Sequence, residues 1–272
     1  MTSAEKSRIR RKWKRWREAI GRDLGWLLTS HDAFHVIQKA FSLNKNIQQP
    51  TLIYRWMTSN YAARVSVGIR RLTDRDTRAV SLYRLIQDIS ANRQAITRDY
   101  FVSKYPRDMR EEGLADDDFD RFASKRDNEV SEFKLKRDLR RLQGDTTRIR
   151  LFVDKWVAHC DADQKRYVVP NYGDVARALQ DIDRVYCKYV LLTSQGSMTT
   201  CKPEIQYDWR EPLRHPWIEM SDEVKEHRLR IGNGSSTSLR TRPSMPSPCL
   251  EARSWSTPAL CPLPGTSPDW PW

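Results

Sequence analysis

The segment NYGDVARALQDIDRVYCKYVLL, Asn171–Leu192, decides the fold class. Its apolar residues Tyr172, Val175, Leu179, Ile182, Tyr186 and Tyr189 recur at alternating intervals of three and four. That spacing lines one side of an α-helix, whereas a strand would alternate apolar and polar positions. Asn171 and Asp174 open it, as capping residues do. So narrow a seam suits packing along a neighbouring helix or a partner subunit.

Working back from this helix, the same reading applies to the stretch Arg148–Asp161. Ile149, Phe152, Val153, Trp156 and Cys160 share one side, as a buried stripe would. Lys155 and His159 stand one turn apart on its flank. Arg148 shares that flank, about 16 Å from His159 at the rise of an α-helix. Arg150 points to the other flank. Gly144 is expected to end a preceding charged helix that carries Phe119, Phe122, Val130, Phe133, Leu139 and Leu142, with an interruption near Asp127 and Asn128. Asp145 or Thr146 then caps the helix bearing His159.

At the other end of the chain, Ile9, Trp13, Trp16, Ile20, Leu24 and Leu27 predict a helix over about 4–28. Its outer face carries Arg8, Arg11, Lys12, Lys14 and Arg15. Ser30 or Asp32 is expected to cap a second helix to about Leu43, burying Phe34, Ile37 and Phe41. His31 and His35 lie four apart on it, a spacing metal sites use, but no third ligand accompanies them. Met57, Tyr61, Val65, Ile69 and Leu72 predict a helix over 51–72, and Gly68 inside it signals close approach of a neighbour. Arg64, Arg70 and Arg71 near its end favour the helix dipole or hold phosphates. Leu82, Leu85, Ile86 and Ile89 mark a further helix over 78–92.

Composition bounds the function. The net charge is +13, and residues 1–17 hold eight Lys/Arg against one Glu. A localised cationic surplus favours an anionic partner, with nucleic acid backbone the commonest. A basic amphipathic helix with tryptophans can also lie on a membrane, although a core-packed helix with a cationic outer face explains the pattern more simply. The five cysteines are far apart and form no C-x-x-C pair, which argues for reduced thiols in a cytoplasm. No run of apolar residues is long enough to span a membrane.

Beyond residue 200 the pattern changes. Pro203, Pro212 and Pro216 predict an extended strap, pinned by Trp209 and Trp217, and a short helix over 218–230. Eight of the fourteen prolines fall after Gly232, so 232–272 reads as a disordered tail. The expected organisation is a bundle over 1–200, a strap and short helix over 201–231, and the tail.

Two stretches together resemble a known family. Trp56–Ile89 contains Tyr61, the run Ile69–Leu72, Asp74 and the segment Ser81–Ile89; residues 148–161 add Asp154, Lys155, Ala158, His159 and Asp161. These are similar to the HEPN superfamily of helical bundles, in its abortive-infection branch, over about residues 5–195. The resemblance implies an all-α antiparallel bundle of about six to eight helices that often dimerises. It implies metal-independent endoribonuclease chemistry in active members, with no cofactor and no metal, through Arg-x4–6-His motifs that meet across the dimer. In such chemistry the RNA 2′-hydroxyl attacks the adjacent phosphate, a histidine moves protons, and a guanidinium braces the growing charge.

Carried onto this chain, the pattern assigns His159 as acid/base. The positions five to seven before it hold Asp154, Val153 and Phe152 in place of arginine. Lys155 is on the expected flank but is a point charge. Asp161 stands where many toxin-type members carry a tyrosine that a partner nucleotidyltransferase modifies. The expected catalytic residues are therefore His159 and Lys155. The expected phosphate contacts are Arg148, Arg150, Arg70, Arg71, Arg8, Arg11, Lys12 and Arg15. Three functions stay open: an endoribonuclease of phage defence or a toxin-antitoxin-like response, a silent bundle binding RNA or a partner protein such as an antitoxin, and a peripheral membrane protein.

Overall fold

A computed structural model describes residues 1–44, 52–125, 127–158 and 169–215. Among them the chain is all-α. The helices are α1 (Ser3–Leu43), α2 (Leu52–Leu72), α3 (Leu82–Ala91), the short α4 (Arg98–Val102), α5 (Arg107–Glu111) and α6 (Leu114–Asp120), then α7 (Glu132–Phe152) and α8 (Tyr172–Ser194).

The expected break near Ser30 does not occur. α1 is one helix of 41 residues, about 60 Å long. Thr29 and Ser30 turn their hydroxyls back onto the carbonyls of Gly25 and Trp26, at 2.9 and 2.7 Å. A hydroxyl so bonded sits inside a helix instead of capping a new one. Its true cap is Thr2, whose side chain accepts from Glu5 N while Glu5 accepts from Thr2 N.

The same misreading occurs at Gly144, where α7 continues without a break. Thr146 and Thr147 bond back to Leu142 and Gln143. The break expected near Asp127 is wider than anticipated. α6 stops at Asp120, and Ser131 caps the separate α7. Arg98 ties this turn together, reaching the Asp116 and Asp120 carboxylates and the carbonyls of Ser124 and Asp127. Phe133, expected in the core, is 66% exposed.

α8 is the centre of the molecule. Its six seam residues are all buried, along with Ala178, Val185, Val190, Leu191 and Leu192, against α1, α2, α3 and α7. Neighbours within the chain therefore fill the seam. Tyr186 donates to the Arg17 carbonyl at 3.0 Å, and a Cβ at Gly21 would collide with its hydroxyl. A Cβ at Gly68 would likewise collide with Leu27, so the glycine sets the approach of α1 and α2. Deep between α7 and α8, Asp138 accepts from Lys188 Nζ at 2.6 Å and Tyr189 Oη at 3.0 Å.

Residues up to Pro203 belong to this unit. Cys201 N donates to Asp183 at 2.7 Å, and Lys202 pairs with Asp32. Residues 204–215 begin a second unit, with a 3-10 turn at Glu211–Arg214 held by Arg214 to Asp208 and Glu211. The expected helix over 218–230, Trp217 and the 232–272 tail lie outside the described residues.

Candidate functional site

α7 ends in a π-helical turn, Val153–Val157, in which Ala158 N donates to the Val153 carbonyl at 2.8 Å. One extra residue in the turn rotates whatever follows by about 100° relative to a regular helix, and such bulges recur at functional sites. The face assignment made on an unbroken helix therefore holds only to Val153. Ile149, Phe152 and Val153 are buried as expected, but Trp156 is only half-buried. Its ring lies beside Phe152, and its indole Nε1 is buried without a hydrogen-bond partner among the described residues.

Asp154 leaves the core on this turn and meets Arg70 of α2. Arg70 Nε donates to Asp154 Oδ1 at 2.7 Å, and Nη1 to Asp74 Oδ2 at 3.3 Å. The Asp154 hydrogen bond leads the effects that raise the Arg70 pKa above its ordinary value. Asp74 also organises the turn into α3, accepting from Asp76 N through its side chain and from Ser81 Oγ through its carbonyl. A guanidinium thus stands beside the π turn, held between two carboxylates.

The other expected phosphate contacts divide into two groups. Arg71 pairs with Asp23 at 2.7 Å, Lys12 with Asp88 at 2.7 Å, and Arg148 with Asp174 at 3.0 Å. Asp174 is also the reciprocal partner of the Asn171 cap. Burial alone would raise its pKa, but the Asn171 N–H and the guanidiniums of Arg148 and Arg177 bring it below the ordinary value. These three cations act first as ties between helices. By contrast, Arg8, Arg11 and Arg15 are exposed on α1 and form no ion pair among the described residues. Arg150 and Lys155 are half-buried near the π turn, and His159 lies outside the described residues.

Sequence reasoning missed a second constellation. His31 Nδ1 and Tyr61 Oη are 2.5 Å apart. The Phe34 ring stacks on Tyr61 with centroids 3.9 Å apart, and Tyr172 lies alongside both. Burial holds the His31 pKa down at about 4 and pushes the Tyr61 phenol above its ordinary range. The neutral ring therefore accepts from the phenol. The spacing of His31 and His35 was visible in the sequence, but the tyrosine thirty residues away was not.

A comparison with protein families decides the relationship. The HEPN_AbiU2 family model, described as AbiU2, matches residues 10–211. The chain belongs to this HEPN-type abortive-infection family. The match covers all eight helices of the described residues, apart from the first turns of α1. No curated protein and no solved structure matches the chain. Among the described residues of this AbiU2 family member, no helix is long and apolar enough to cross a membrane.

Proposed function

We propose that this HEPN-type abortive-infection protein binds RNA through the cationic face of α1 and does not cut it. The observation that carries the reading is the set of residues where the resemblance calls for a guanidinium. Phe152 and Val153 are each 3% exposed, and Asp154 is an acid bound to Arg70. Nothing at those three positions can brace a phosphate. Arg8, Arg11 and Arg15, which form no salt bridge among the described residues, supply the field that attracts a polyanion.

A second reading has its own support. Arg70 brings a guanidinium from α2 onto the turn five residues before His159, and could replace the missing arginine if Asp154 released it. Incubating the purified protein with labelled RNA in EDTA separates the two. Binding with the RNA left intact supports the first. Cleavage that His159→Ala and Arg70→Ala each abolish supports the second and overturns the first.

A further inference from the structure

We infer that the cleft between α1 and α2 is a binding site for single-stranded nucleic acid, with Trp26 and Trp56 as stacking platforms. The inference deepens the RNA-binding reading above and rests on it. The two side chains are 66% and 64% exposed, whereas Trp13 is buried and Trp16 packs against the core. Both indoles therefore offer a ring face that a partner can reach.

The cleft has a volume of about 550 Å³. Asp23, Trp26 and Leu27 of α1 line it together with Ala63, Arg64 and Val67 of α2. Trp56 stands one turn before Asn60 on the same face. From Trp56 to Arg71 this face runs fifteen residues, about 22 Å. Leu27 fills the space over Gly68, so the open part of the floor lies at Ala63 and Val67.

The charge around it is mainly positive, with Asp23 the one carboxylate among its lining residues. On α1, Arg8, Arg11, Arg15 and Arg22 fall with Trp26 inside a stripe about 60° wide at 100° per residue; no acid lies inside it, and Glu18 stands just beyond its edge. The stripe extends about 27 Å and ends at the cleft. Arg64 and Arg71 continue it on α2, with Asp23 facing Arg71. Arg22 and Arg64 form no ion pair among the described residues.

A single-stranded polynucleotide presents a phosphate and a ring face at every residue, which is what this track of guanidiniums ending in indoles can hold. Duplex RNA hides its ring faces. A second copy of this chain docked symmetrically would set these arginines against themselves, which like-charge repulsion opposes.

The test uses the full-length chain and a fluorescein-labelled oligouridylate, followed by anisotropy, with duplex RNA as the comparison. Trp26→Ala and Trp56→Ala each weaken oligouridylate binding roughly tenfold while thermal stability and the salt dependence stay as in the wild type. Trp26→Phe restores most of the loss, and the duplex is bound more weakly and is indifferent to both changes. Tryptophan variants that bind like the wild type, while Arg8, Arg11 and Arg15 changed together to Gln lose affinity, would overturn the cleft and leave the RNA-binding reading standing. A wild-type chain that binds no RNA would overturn both. A dimer that Trp26→Ala dissociates, with RNA affinity untouched, would reassign the cleft to a protein interface.

Discussion

Arg70 of α2 and Asp154 of the π-helical turn meet at 2.7 Å across eighty-four positions of sequence. The pair fastens the end of α7 to α2 at the point where the chain leaves for His159. Both side chains are about a third exposed, so the Coulombic gain is screened. Arg70→Ala or Asp154→Ala should each lower stability by about 1 kcal/mol or less. The double variant should lose less than the two singles added together, as expected for partners in contact. A double-mutant cycle in urea checks this, and additive losses would show that the pair is not formed in solution.

Asp138 is a stronger dependency. It is 7% exposed and accepts from both Lys188 and Tyr189. Asp138→Ala leaves the partly buried Lys188 ammonium without its counter-charge, at about 3 kcal/mol, the low end for a buried pair. Tyr189→Phe removes one hydrogen bond and keeps the ring, at about 1 kcal/mol. Chemical denaturation of both variants should reproduce that order, and a mild Asp138→Ala would mean that water reaches the pair.

Gly144 gives a test with the opposite sign. A Cβ there meets nothing within 4 Å, and the glycine is inside α7. Gly144→Ala should therefore raise stability by about 1 kcal/mol through helix propensity. If the glycine ended a helix in a left-handed conformation, the same change would lower stability, so thermal melts distinguish a continuous α7 from a divided one.

How much of this was legible in the sequence depended on the type of signal. α8 could be read because its apolar period and its Asn171 cap are local and agree. α1 and α7 were divided wrongly because Ser30, Gly144 and Thr146 look like punctuation, and whether a hydroxyl bonds forward as a cap or backward into its own helix depends on surrounding packing. The π turn left no mark in the pattern, since Val153 and Trp156 fit an ordinary helical period. The ties of Arg70 to Asp154, Arg148 to Asp174 and Lys12 to Asp88 join distant positions, so charges that read as free phosphate contacts turned out to be partnered.

His31 gives a pH signature. Its pKa is about 4 in the folded protein, lowered by burial first and by His35 second, with Asp32 opposing, against 6.5 for a free imidazole. The unfolded chain therefore binds this proton more readily. The group leaves stability unaffected above about pH 6.5, and stability falls as pH drops from there towards about 4. His31→Gln should flatten that part of the urea midpoint against pH. An unchanged slope would mean that the ring is not shielded beside Tyr61.

The most direct test of RNA binding without cutting is a salt titration in EDTA. The wild type is compared with a variant in which Arg8, Arg11 and Arg15 are all Gln. The account predicts intact RNA throughout, and a slope of log affinity against log salt that is shallower by about 2 in the variant, since each lost phosphate contact on a single strand removes about 0.7. Equal slopes, or RNA cut by the wild type and spared by His159→Ala, would contradict it.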